Sequence, residues 1–109
     1  MLLPPTNGHR LLIYGRDYTL LDTRRMLLAS SGFQADIVST LDQLRSAVRR
    51  AQPPYELVIL CHTISREDRA VVRDLIEKTR IGLYQLEKLI PPKRFLTAVS
   101  GKAYENADF

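Results

Sequence analysis

Two runs of uninterrupted apolar residues constrain this chain more than any other feature: Leu11-Leu12-Ile13-Tyr14, ending at Gly15, and Leu57-Val58-Ile59-Leu60-Cys61. A strand with no polar face has to be covered on both sides, as the strands of parallel sheets are by flanking helices. The segments around these runs supply such helices. Leu20, Leu21, Leu27 and Leu28 make one stripe, and Ser31-Gly32 supplies a natural stop. Ala35 to Val38 reads as a shorter strand. Thr40 followed by Gln43 is a capping box that opens a helix carrying Leu41, Leu44 and Val48, closed by Pro53-Pro54. Ser65 and Asp68 mark another helix start, with Val71, Val72, Leu75 and Ile76 as its inner face. Arg73 with Glu77 and Asp74 with Lys78 suit an exposed outer face. Ile81 to Leu86 reads as a fourth strand, and Pro91-Pro92 starts a short last helix with Phe95, Leu96 and Val99. The order is β-α four times over, which predicts a parallel sheet with helices on both faces and right-handed crossovers.

The 109 residues suffice for one modest core. The reading places a domain at residues 10–99, a lead-in at 1–9 and a polar, frayed tail at 100–109. A single cysteine excludes an intrachain disulfide. No apolar stretch approaches a bilayer span. The N-terminus lacks a basic region followed by a long apolar run, so a cytoplasmic location is expected. The formal charge is +4, but the arginines and lysines are spread along the chain, and most have acidic neighbours. Aromatic residues do not interleave with them. They read as solvated helix faces and not as a nucleic-acid surface.

Sites in such sheets lie beyond the carboxyl ends of the strands. The residues to watch are Gly15, Arg16 and Asp17, then Ser39 and Thr40, then Cys61, His62 and Thr63, and finally Glu87 and Lys88. Cys61 and His62 are adjacent on a strand, so they point apart and do not form a dyad; His62 is expected to pack or hydrogen-bond at the strand end. With His9 they lack the spacing of a zinc site. No glycine-rich phosphate loop and no Ser-His-Asp set is present. Cys61 has two readings: a small buried hydrophobe, or a thiol made reactive by Arg16 and Lys88.

Leu11 to Asp17, with the arginine-rich helix up to Gly32-Phe33, resembles the first β-α unit of the receiver domain of bacterial response regulators. Tyr55-Glu56-Leu57-Val58-Ile59-Leu60 is similar to that family's third strand. Lys88 to Val99 has the spacing of its ending. The resemblance covers roughly residues 10–99. It implies a three-layer α/β/α, flavodoxin-like parallel sheet and a role in signal transduction of the two-component or phosphorelay kind. A working receiver holds Mg²⁺ with two acidic residues after the first strand. An aspartate at the end of the third strand accepts the phosphoryl group, and a lysine pairs with its oxygens. Carried over by position, the acidic pair falls on Gly15 and Arg16 and the acceptor on Cys61. Lys88 matches the lysine, and Asp17 is a carboxylate one place late.

The resemblance therefore implies a degenerate receiver with no metal, no cofactor and no catalytic residues. Asp17 and Lys88 are its favoured ion pair. The eight residues from Arg80 to Glu87 leave room for one strand only, so a receiver's five β-α units are expected to be shortened here to about four. Ile81 to Leu86 then becomes an exposed edge, which favours self-association. No segment reads as an attached DNA-binding output domain. The expected function is a phosphorylation-independent protein-interaction module with a partner in trans; the alternative is a thiol-based redox sensor built on Cys61.

Overall fold

The computed structural model describes residues 10–52 and 54–106, with 104–106 as helix backbone only. Pro53 and the lead-in lie outside the described residues. The elements are β1 (Arg10–Tyr14), α1 (Tyr18–Ser30), β2 (Gln34–Val38), α2 (Leu41–Arg50), β3 (Leu57–Leu60), α3 (Arg66–Glu77), β4 (Gly82–Gln85) and α4 (Pro92–Asn106). The four strands form one parallel sheet in the order β2-β1-β3-β4. This is a shortened flavodoxin-like α/β fold: the parallel sheet is the one the alternation predicts, and the shortened flavodoxin-like form is the one the resemblance implies.

The two apolar runs lie side by side at the centre, Leu11 opposite Leu57 and Tyr14 opposite Leu60. Because side chains alternate along a strand, each run supplies both faces. Leu11, Ile13, Leu57 and Ile59 pack with Leu21 and Leu28 of α1 and with Phe95, Val99 and Ala103 of α4. Leu12, Tyr14, Val58 and Leu60 pack with Leu44 of α2 and with Val72 and Ile76 of α3. Two helices thus cover each face, and the strands need no polar side.

Local chemistry fixes the helix ends where the sequence places them. Gly32 adopts a positive φ of 94°. Its N–H donates to the Ala29 carbonyl, and the Phe33 N–H donates to that of Leu28. This paired closure ends α1 and brings Phe33 onto Leu28 in the core. At α2 the Gln43 N–H donates to Thr40 Oγ1 at 3.1 Å. Gln43 Oε1 accepts from the Ser39 N–H at 2.8 Å, one residue earlier than a strict capping box requires. At α3 the Asp68 N–H donates to Ser65 Oγ at 3.2 Å.

The largest departure from the sequence reading is at the C-terminus. The last helix is not short: α4 runs to Asn106 over 15 residues, so residues 100–106, read as frayed tail, are helical. Phe95, Val99 and Ala103 follow at intervals of four along its inner face, all buried. A small apolar residue among polar neighbours carries this last turn onto the sheet, and periodicity alone does not register it. Residues 107–109 lie outside the described residues.

β4 is an edge strand, and its four residues are all partly exposed. No helix among the described residues is long and apolar enough to cross a membrane.

Candidate functional site

The strand order reverses between β1 and β3, so their carboxyl ends flank the crevice where this class of fold places its sites. Gly15, Arg16 and Asp17 form one wall; Cys61, His62 and Thr63 form the other. Gly15 is buried against Cys61. A Cβ added at Gly15 would come within 3.1 Å of Cys61 Cβ, Cys61 Sγ and Leu21 Cδ2. The absent side chain leaves this close approach unstrained, and any larger residue there requires the Cys61 and Leu21 side chains to give by a few tenths of an ångström.

Arg16 reaches across the opening. Its backbone N–H donates to Thr63 Oγ1 at 2.9 Å. Its guanidinium donates to Asp68 Oδ2 at 3.1 Å, and the same oxygen accepts from the Tyr14 hydroxyl at 3.3 Å. The crevice is thus bridged from β1 to the first turn of α3. With the Arg16 side chain 56% exposed, the ion pair adds no more than about 1 kcal/mol; it sets geometry more than stability. Burial, reinforced by the Asp68 charge, raises the Tyr14 pKa above its ordinary value.

Asp17 does not line a pocket with Lys88. It caps α1, accepting from the Leu20 N–H through Oδ1 at 3.2 Å. Lys88 is exposed in the loop before α4 and forms no ion pair with Asp17. The expected Asp17–Lys88 pair is therefore corrected: the cap of α1 claims the carboxylate first.

Cys61 is buried, and the cation beside it is neither Arg16 nor Lys88. Arg24 of α1 donates from NH1 to Cys61 Sγ at 3.0 Å, and its guanidinium carbon lies 5.1 Å from the centre of the Phe95 ring. Arg24 is only 4% exposed. Its NH2 nitrogen is buried without a hydrogen-bond partner, and no carboxylate pairs with it among the described residues. Read in sequence as part of a solvated face, Arg24 in fact lies on the leucine stripe: Leu21, Arg24 and Leu28 are the buried residues of α1. The spacing of three and four was the signal that could have found it.

Burial raises the Cys61 pKa above that of a free thiol, and Arg24 and then Arg69 offset this only in part. The thiol is the neutral form at pH 7. In native protein its alkylation should remain slow through pH 8 and rise only above the free-cysteine midpoint, becoming fast once denaturant is added. A native midpoint below that of free cysteine would contradict this arrangement. It is measured as the alkylation rate against pH.

Arg69 of α3, also read as a solvated residue, closes the far side. Its guanidinium donates to three backbone carbonyls: Cys61 at 2.9 Å, Leu86 at 2.7 Å and Ile64 at 3.1 Å. It joins the ends of β3 and β4. His62 is half-buried beside it. Its Nδ1 is buried without a partner among the described residues, so of the two expected roles, packing or hydrogen-bonding at the strand end, that nitrogen serves the first. His9 lies outside the described residues. Asp68 and Arg69 come from α3, and nothing in their local sequence tells which way along the sheet they reach.

The Mg²⁺ that a working receiver uses does not suit this donor set. Hard cations require several oxygen ligands, whereas positions 15, 16 and 61 offer no side chain, a guanidinium and a thiol. Among the described residues, no three His, Cys, Asp or Glu side chains come together in a metal-binding group.

No family model matches the sequence, and no curated protein matches it significantly. Its structure is similar to the crystal structure of a response regulator receiver domain protein (CheY-like) from Methanospirillum hungatei JF-1. The TM-score is 0.69 at 15% sequence identity, over 90% of this chain and 95% of that one. At that identity the likeness establishes the fold: the chain is built like a receiver domain.

Proposed function

We propose that this chain is a degenerate receiver that acts in signal transduction by protein contact, without phosphorylation and without catalysis of its own. The observation that carries this reading is the bridge from Arg16 to Asp68. It puts a guanidinium where the resemblance assigns a metal-binding carboxylate, while Cys61 stands at the acceptor position. A receiver converts phosphoryl chemistry into a shape change through a carboxylate cluster. With Arg16 and Cys61 in those places, the transferring group would meet neither a chelated cation nor an aspartate.

Contact with a protein partner, or with a second copy, falls most naturally on β4. Among the described residues no strand pairs with its outer edge, and Ile81 to Leu86 contains no charge and no proline to block strand addition. The Cys61 thiol-sensor reading gains nothing from the site, since the sulfur is buried and its pKa is raised.

The test is intact-mass measurement after incubation with acetyl phosphate and Mg²⁺, with light scattering over a concentration series alongside. The expected results are an unchanged mass and a molecular weight that rises with concentration. A stable single-phosphate adduct would sink the phosphorylation-independent reading. A strict monomer at high concentration would remove the edge contact between copies.

A further inference from the structure

A groove of about 470 Å³ runs between α1 and the loop that leads from β4 into α4. Leu20 and Leu27 form one wall, Leu89, Ile90 and Pro91 the other, and Phe95 closes the base. The volume lies in the range of small-molecule sites. One isolated exposed leucine needs no explanation, but Leu89, 62% exposed, stands at the rim of a continuous apolar channel.

Arg24 is the one charged residue that lines this groove; Thr23 is the remaining polar one. It is more than nine-tenths buried, and among the described residues its NH2 is unpartnered and its only side-chain hydrogen bond goes to a thiol, a weak acceptor. A buried guanidinium in apolar surroundings is completed by a carboxylate, which accepts two parallel hydrogen bonds from it. No Asp or Glu lines the groove, so the complement is not supplied by the described residues.

We propose that this groove binds a small amphipathic carboxylate, its hydrocarbon body against the leucine and proline walls and its carboxylate on the Arg24 guanidinium. The single cation selects a monoanion. A more highly charged headgroup would bring surplus charge into an apolar channel. The site is separate from the crevice bridged by Arg16, and it does not rest on how that crevice signals.

Octanoate is the probe and octan-1-ol the uncharged control, each titrated into the full chain. The readout is the NMR shifts of the Leu20, Leu27, Leu89 and Ile90 methyl groups. Octanoate should saturate them and bind at least about tenfold more tightly than octanol. Arg24→Met should abolish that preference, and Leu89→Ser at the rim should weaken both ligands together. Equal affinity for the acid and the alcohol would overturn the proposal. So would the absence of saturable octanoate shifts, or undiminished octanoate binding to Arg24→Met. The comparison of acid with alcohol on the unmodified chain, supported by Leu89→Ser, decides the matter even if Arg24→Met fails to fold.

Discussion

Phe95→Ala should remove about 3–5 kcal/mol of stability, a large fraction of the roughly 5–15 kcal/mol that holds a domain of this size together. Phe95 is 1% exposed and lies in the core layer shared by α1, α4 and the sheet. It belongs to the same core cluster as Cys61, Val99, Leu11 and Ile13, and it lies under the Arg24 guanidinium. Truncation leaves a void that the two central strands cannot collapse to fill, because their backbones are fixed by ladders on both sides. It also removes the ring face that offsets part of the Arg24 charge. Urea unfolding should show a lower midpoint with little change in slope. A loss below about 1 kcal/mol would mean that α4 does not seat on the sheet through this ring.

Arg24→Met should move stability the other way, raising it by a net of about 1 kcal/mol, the balance of a gain of about 1–4 kcal/mol and a smaller loss. Taking an incompletely paired charge out of an apolar interior is commonly stabilising by that order, and methionine follows the arginine stem closely in shape. The loss of the contact with Phe95 subtracts roughly 0.5–2 kcal/mol from the gain. A second readout follows from Cys61. Arg24 lowers its pKa both by charge and by hydrogen bond, so the substitution should push that pKa higher and slow alkylation further. If urea unfolding shows Arg24→Met less stable than the parent, the guanidinium has a structural role beyond its thiol and ring contacts.

The two predictions show where sequence was legible and where it was not. The strands were legible because a continuous apolar run leaves few alternatives. β1, β2, β3 and β4 fall within one residue of the expected ends, and Gly15, Arg16 and Cys61 sit beside the crevice because strand ends follow from strand positions. Side chains on helices were less legible. Asp68 looked like a favourable first-turn acid, and it is one, but it also holds Tyr14 and Arg16. Arg69 looked solvated, yet it stitches two strand ends. Both depend on how α3 lies over the sheet, a tertiary relation that local sequence does not encode. Arg24 differs, because the leucine spacing around it already put it on the inner face. Asp17 turns away from Lys88 for a local reason: a carboxylate three residues before a free helical N–H is drawn to that N–H.

The tight packing around Gly15 also bears on the order in which mutations could be accepted. Every glycine codon is a single nucleotide from an aspartate or a glutamate codon, so an acidic residue at this place is always one step away in the gene. Any side chain there must displace Cys61 and Leu21, which a Cβ would already meet at 3.1 Å. An acid acquired there is therefore tied to the packing of these two neighbours, which would have to yield by a few tenths of an ångström to admit it.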